Sequence, residues 1–287
     1  MNWYKKAEYV TAAYTTNPLE VIAPLMGMQL VFFDTESTGL DPAIDQITEI
    51  AAIATSSPNF EEEATFHKKI DLTPEITQRM EKEKDQGYGE FDRVENILEM
   101  TQYETLEMTP DSEQKVLNEF KAFLEKYPGP IVAHNANFDV HIVAKRSGGF
   151  PDRKVYDTMY LTRFYYIPAL TVIAQTNEDP KASEAVKALE SMTNKKGKVS
   201  SSLGFVAKAL NIPIEGWHQA INDVRSTIAV FAGVTDYIMQ NAQIFETSDF
   251  LEEYKERLVK ERGYQTKENL KKQRDRKLEK RKRVKNL

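Results

Sequence analysis

A chain of 287 residues can bury one sizeable core, with about 60 to 80 residues left over for extensions. Hydrophobic residues make up 41% and charged residues 29%, close to the averages for folded soluble domains, so wholesale disorder is excluded. With no cysteine, disulfides, thiolate nucleophiles and thiolate-held zinc are excluded too, and any chemistry falls to carboxylates, histidines and hydroxyls. No run approaches the ~18 apolar residues of a membrane span. The opening MNWYKKAEYV has no apolar signal core, so the expectation is no membrane, no export and, by default, a cytoplasmic location. The net charge of −6 conceals an asymmetry. Residues 255–287 hold 15 Lys+Arg against 5 Asp+Glu, while residues 1–254 hold 23 against 39, so a basic tail of net +10 follows an acidic body of net −16.

In chain order, residues 1–27 mix aromatic and polar positions, with Pro18 and Pro24 interrupting any helix, and read as an N-terminal extension. The run Met28–Phe33 has the composition of a buried strand and Ser37-Thr38-Gly39 that of a turn. Ile47 to Ala54 suits an adjacent strand and the more polar Ala64 to Ile70 an edge strand, together an antiparallel meander. Residues 71–108 are acidic and irregular. Thr109 then suits an N-cap and Pro110 a first helical position, with Val116, Leu117, Phe120, Leu124 and Tyr127 at helical spacing before Pro128-Gly129-Pro130 ends the helix. Ile131-Val132-Ala133 reads as a short buried strand, Ala136 to Gly148 as a helix, Val155-Tyr156 as another strand and Asp157 to Tyr166 as a helix. Residues 171–199 form an insertion interrupted by Pro180 and Gly197. A helix capped by Ser200–Ser202 runs through Leu210, and a long striped helix from Gln219 to Asn241. The last 38 or so residues have too few apolar positions for a core and read as an exposed charged helix.

Three places carry chemistry. Asp34 and Glu36 stand at i and i+2 at the end of the buried run, so the strand period of two aims both at one face. Two such acids repel, an arrangement that is costly without a cation between them. Asp139, in AHNANFDV, sits where a strand gives way to a helix, in the first turn favoured by the helix dipole. His134 there reads as structural. His218 and Asp223 lie in HQAINDV at the start of the long helix. Imidazole, with an ordinary pKa of about 6.5, is the side chain suited to act as a base near neutrality.

FDTES, NFD and HQAIND, in this order, resemble the three motifs of the DEDD exonuclease superfamily in its histidine subclass, the group of the polymerase III proofreading subunit epsilon and of ribonuclease T. The resemblance runs from about Met28 to Met239, through DQITEIAAI, KVYDTMYL and SSLGFVAKALNI. It implies an α/β ribonuclease H-like fold, a central mixed β-sheet flanked by helices, in a catalytic domain over 28–242 with the insertion at about 171–199 and a basic helical tail at 243–287. It implies 3′→5′ hydrolysis of phosphodiester bonds at nucleic-acid 3′ ends, releasing 5′-mononucleotides. Asp34, Glu36, Asp139 and Asp223 would ligate two Mg2+ ions, with Mn2+ a substitute, and His218 would take the proton of the attacking water. Thr35, Thr38 and Leu40 fall where the family contacts the terminal nucleotide; Asn135 and Phe138 are candidate pocket residues. Partners implied are nucleic acid with a free 3′ end, DNA favoured over RNA, and a polymerase or replication partner. An exoribonuclease and an inactive nucleic-acid-binding subunit are the alternatives.

Overall fold

The computed structural model describes residues 3–4, 8–10, 15–56, 58–85, 111–176, 180–213, 219–264 and 267–285. The strands are β1 (Trp3–Tyr4), β2 (Glu8–Val10), β3 (Leu30–Ser37), β4 (Ile47–Ser56), β5 (Glu61–Lys69), β6 (Ile131–Ala133), β7 (Phe150–Pro151) and β8 (Lys154–Asp157). The helices are α1 (Leu19–Ile22), α2 (Pro74–Asp85), α3 (Glu113–Lys126), α4 (Ala136–Ser147), α5 (Thr158–Leu161), α6 (Ile167–Ala174), α7 (Ala182–Ser191), α8 (Leu203–Ala209), α9 (Ala220–Gln240), α10 (Ser248–Tyr264) and α11 (Lys267–Lys285). Six strands form one mixed sheet in the order β2-β8-β6-β3-β4-β5. The meander β3-β4-β5 is antiparallel, with β5 at the edge, and the pairs β3/β6, β6/β8 and β8/β2 are parallel. This is the ribonuclease H-like architecture expected from the motifs.

The period of two along β3 sorts its side chains between two cores. Leu30 and Phe32 enter a core shared with α6, α8 and α9, where Phe32 meets Phe231 edge-on at 5.5 Å. Val31 and Phe33 enter the opposite core, under α3 and α4, where Phe33 lies 5.8 Å from Phe120 and 5.9 Å from Phe150. Aromatic pairs at these separations fix orientation as well as burying area. The strand that ends in Asp34-Thr35-Glu36 is thereby clamped from both sides.

Several boundaries differ from the sequence expectation. Thr109 and Pro110 lie outside the described residues, but the helix beyond them begins only at Glu113: Asp111 instead bridges to Ile70, its N–H donating to the Lys69 carbonyl. Glu113 has its own structural task, a bidentate pair with Arg146 that links α3 to α4. The helix after β8 runs on past Tyr166, continuing through a π-helical turn over Thr162–Tyr166 into α6, and Pro168 stands just where the π-helical turn gives way to α6. Within 171–199, α7 brings Ala185 into the core and Met192 follows it there. The tail is not uniformly exposed. Phe250 and Tyr254 are buried and Leu251 and Leu258 pack beside them, a stripe at i, i+1, i+4 and i+8 that the surrounding charges disguise in composition. In the N-terminal segment, Glu8–Val10 extends the sheet beside β8.

Candidate active site

The face assignment of β3 decides where each acid goes. Asp34 and Glu36 continue the side of Leu30 and Phe32, the side covered by α9, and the fourth residue of α9 is Asp223. Ligand oxygens of Asp34, Glu36 and Asp223 all lie within 4.8 Å of one another. Thr35 points to the other side, toward α4. There its backbone N–H and its hydroxyl both donate to Asp139 Oδ1, at 3.0 and 2.7 Å. Three carboxylates therefore form one cage, and the fourth is latched to the residue between the first two.

The electrostatics follow from this crowding. Burial holds the Asp34 carboxyl well above the usual carboxylate range, and the charges of Asp139, Asp223, Glu36 and Glu49 push it further up. Burial likewise raises Asp139 to about 7, against the lowering effect of its two bonds from Thr35. Acids that repel at this range, all of them oxygen donors, make a site that favours a hard divalent cation.

The turn that delivers Asp139 has its own supports. Asn135 adopts a left-handed conformation, φ 67°, at the N-terminus of α4. Its N–H donates to Asp157 Oδ1 at 3.0 Å, and the same oxygen accepts from Met159 N at 2.9 Å as the cap of α5. Burial pushes Asp157 up to about 6. His134 next to this turn is structural, as expected. Its Nε2 donates to the Ser201 carbonyl at 2.9 Å, its Nδ1 accepts from the Thr158 hydroxyl at 2.7 Å, and burial pulls its pKa down to about 4. His218 lies outside the described residues.

Of the expected nucleotide contacts, Thr35 is buried with its hydroxyl spent on Asp139. The Thr38 hydroxyl accepts from Gln46 N at 3.0 Å and from Arg79 Nη2 at 3.3 Å. Leu40 is 61% exposed, standing out from the end of the sheet that carries the acids, and Phe138 packs partly against the second core. Gly39 between them is required by close approach, since a Cβ there would overlap the Asp45 carboxylate.

Sequence reasoning passed over Glu49, which lies in DQITEIAAI. It stands opposite Glu36 in the β3/β4 register and is buried. Its Oε1 accepts from His67 Nε2 at 2.6 Å and from Ala220 N at 3.2 Å, so it fastens the first residue of the helix that carries Asp223. A signal was present: a single acid inside an otherwise apolar strand is rare unless partnered. Glu49→Ala leaves the buried Ala220 N–H without its acceptor at a cost of about 1–3 kcal/mol. We expect a melting temperature lower by roughly 2–10 °C, read by thermal denaturation.

Comparison with known proteins finds similarity over the stretch that carries Asp34 and Glu36. The RNase_T exonuclease family model matches residues 31–86, the stretch from β3 through α2. The DNA polymerase III PolC-type of Halalkalibacterium halodurans is 31% identical over 157 residues, 51% of this chain and 9% of that protein. The corresponding protein of Thermotoga petrophila is 35% identical over 137 residues, 46% of this chain and 9% of that one. Over these stretches the chain is similar to exonuclease domains of the DEDD type. The solved structure of E. coli exonuclease I in complex with a dT13 oligonucleotide has the same fold, with a TM-score of 0.51 at 19% identity over 74% of this chain and 42% of that one. The exonuclease-type domain thus corresponds to about a tenth of the length of its PolC-type relatives. No helix among the described residues is long and apolar enough to cross a membrane.

Proposed function

We propose that this exonuclease-type domain, spanning 28–242, is a metal-dependent 3′→5′ exonuclease acting on single-stranded DNA and releasing 5′-mononucleotides. The observation that carries the reading is the cage of Asp34, Glu36 and Asp223, with Asp139 latched beside it by Thr35. The donor set fits Mg2+, or Mn2+ in its place, because it is all oxygen and its carboxylates repel one another. A pair of divalent ions held there would supply charge stabilisation to the attacking and leaving oxygens of a displacement at phosphorus.

The remaining steps belong to the chain itself. Asp34, Glu36 and Asp223, on the α9 side of β3, would hold the cations, with Asp139 completing the set. His218, the residue before the N-cap of α9, takes the proton from the attacking water, since imidazole titrates near neutrality. Leu40 packs against the terminal base, and the loop from Thr38 to Asp45 sets its position. The preference for DNA and a replication setting in the cytoplasm draw support from the relatives, which are named as DNA polymerases, and from the oligonucleotide bound by the structural neighbour.

The test is stepwise shortening of 3′- and 5′-labelled oligonucleotides, as single-stranded DNA, duplex DNA and RNA, with Mg2+ or with chelator. The expected result is mononucleotide release from the 3′ end, fastest on single-stranded DNA and abolished by chelator. Cleavage from the 5′ end, or binding with no cleavage of any oligomer, overturns the proposal.

A further inference from the structure

The basic tail folds back on the catalytic end of the sheet. Arg281 makes a bidentate pair with Asp41, Nε to Oδ2 at 2.7 Å and Nη2 to Oδ1 at 2.8 Å. Lys280 reaches Asp45 Oδ2 at 3.5 Å. Both acids are buried and belong to the loop that leaves β3 just after Glu36. That loop is tightly built. Asp45 also accepts from Asp41 N at 2.8 Å and from Arg79 Nη2 at 2.8 Å, while Arg79 donates to the Ile44 carbonyl. Planar two-point pairing of guanidinium with carboxylate fixes direction as well as distance.

What docks here is a highly charged helix. α11 carries eleven Lys+Arg against three Asp+Glu, and Leu278 on it is exposed. Two ion pairs use Lys280 and Arg281. Lys271, Arg274, Arg276 and Lys282 stand exposed along the same helix. From Lys271 to Lys282 the helix runs ~16 Å, about the length of three nucleotides of extended single strand. The rest of the chain is strongly acidic, so this helix is the concentrated positive charge, and its anchor lies five residues from a proposed metal ligand.

We infer that α11 is a docked phosphate rail: it lies against the loop after β3 and binds the backbone of the single strand whose 3′ end enters the acid cage. The inference rests on the nuclease reading for which strand is bound, and on the ion pairs for where. A mobile basic arm would gain the same charge contacts without order; the Asp41 and Asp45 pairs pre-position the cations, so less freedom is lost on binding.

The test uses the full chain with chelator present, so that nothing is cleaved. Binding of fluorescein-labelled oligodeoxythymidylate and oligouridylate is followed by anisotropy from low to moderate salt. Replacing Lys271, Arg274 and Arg276 together by Gln is expected to weaken binding about tenfold or more at ~0.1 M salt, and to lower the slope of log K against log salt by about 2. Both oligomers should respond alike, because the contact is to phosphate. In a separate assay with Mg2+ in place of chelator, hydrolysis of the p-nitrophenyl ester of thymidine 5′-monophosphate, too small to reach the rail, should be unchanged. Unchanged affinity and slope in the variant overturn the rail. A second variant, Asp41→Asn, separates a docked rail from a loose arm. Removing a negative charge should by itself favour a polyanion, yet loss of the anchor predicts weaker binding; equal or tighter binding overturns the docking. If the protein hydrolyses neither ester nor oligomer while binding behaves as stated, the nuclease reading fails and the rail stands. If the ester is cleaved and binding ignores the tail, the reverse holds.

Discussion

Asp34→Asn should lower mononucleotide release by about a thousandfold or more while raising the melting temperature of the metal-free protein. Both effects have one cause. Asp34 is the most crowded of the acids: it is half-buried, and Asp139, Asp223, Glu36 and Glu49 each add repulsion to its ionised form. A group kept in so unfavourable a setting destabilises the folded chain whenever its cation is missing, and neutralising it relieves that cost. The same change removes one of the three carboxylates of the cage. Loss of ~4 kcal/mol of charge stabilisation at the reacting phosphate corresponds to about a thousandfold in rate. The measurement is paired: single-turnover cleavage with Mg2+, and thermal denaturation with chelator at pH 8. A variant that is inactive but also less stable than the parent would mean that Asp34 is a packing residue, and a variant of undiminished activity would remove it from the chemistry.

The paired outcome depends on features that differ in how far a linear reading can reach them. The acids at i and i+2 were legible because strand period alone puts Asp34 and Glu36 on one side, and the apolar run before them announces a buried strand. The sheet and its meander were legible for the same reason. The latch from Thr35 to Asp139 was not. It joins residues 104 apart and exists only because β6 lies beside β3, leaving the start of α4 over the odd-numbered face. Thr35 therefore reads in sequence as a nucleotide contact and in the fold as the partner of a carboxylate. The tail shows the opposite failure. Its charge was plain, but Phe250 and Tyr254 each sit among acids, so composition hid the stripe that seats α10. The pairing of Arg281 with Asp41 spans 240 residues, and no local rule selects one acid of the body over another.

The same crowding predicts how metal and pH act together on stability. Burial raises Asp139 to about 7 in the folded protein, against 3.8 for an ordinary Asp, and Asp34 is raised well above that value too. Between these limits the folded state binds more protons than the unfolded state, so stability falls as pH rises from about 4 through 7. Asp157, raised to about 6, adds to the fall over the lower part of that range. His134 acts in the other direction: held down at about 4 against an ordinary 6.5, it leaves the folded state short of a proton between those values, and stability there rises with pH. Above about 6.5 His134 and Asp157 no longer contribute, while the decline from Asp139 continues. A divalent cation pairs with the ionised carboxylates and so stabilises most where they are ionised. At a hundredfold excess over its dissociation constant the gain is about 2.7 kcal/mol. For a chain of this size that is a shift of roughly 5–10 °C at pH 8, shrinking toward zero at pH 5 as protons take the place of the cation. Thermal denaturation with Mg2+, with Mn2+ and with chelator, at pH 5, 6.5 and 8, measures it directly. A metal-induced shift of equal size at all three values would show that the cation binds elsewhere than the cage of Asp34, Glu36 and Asp223.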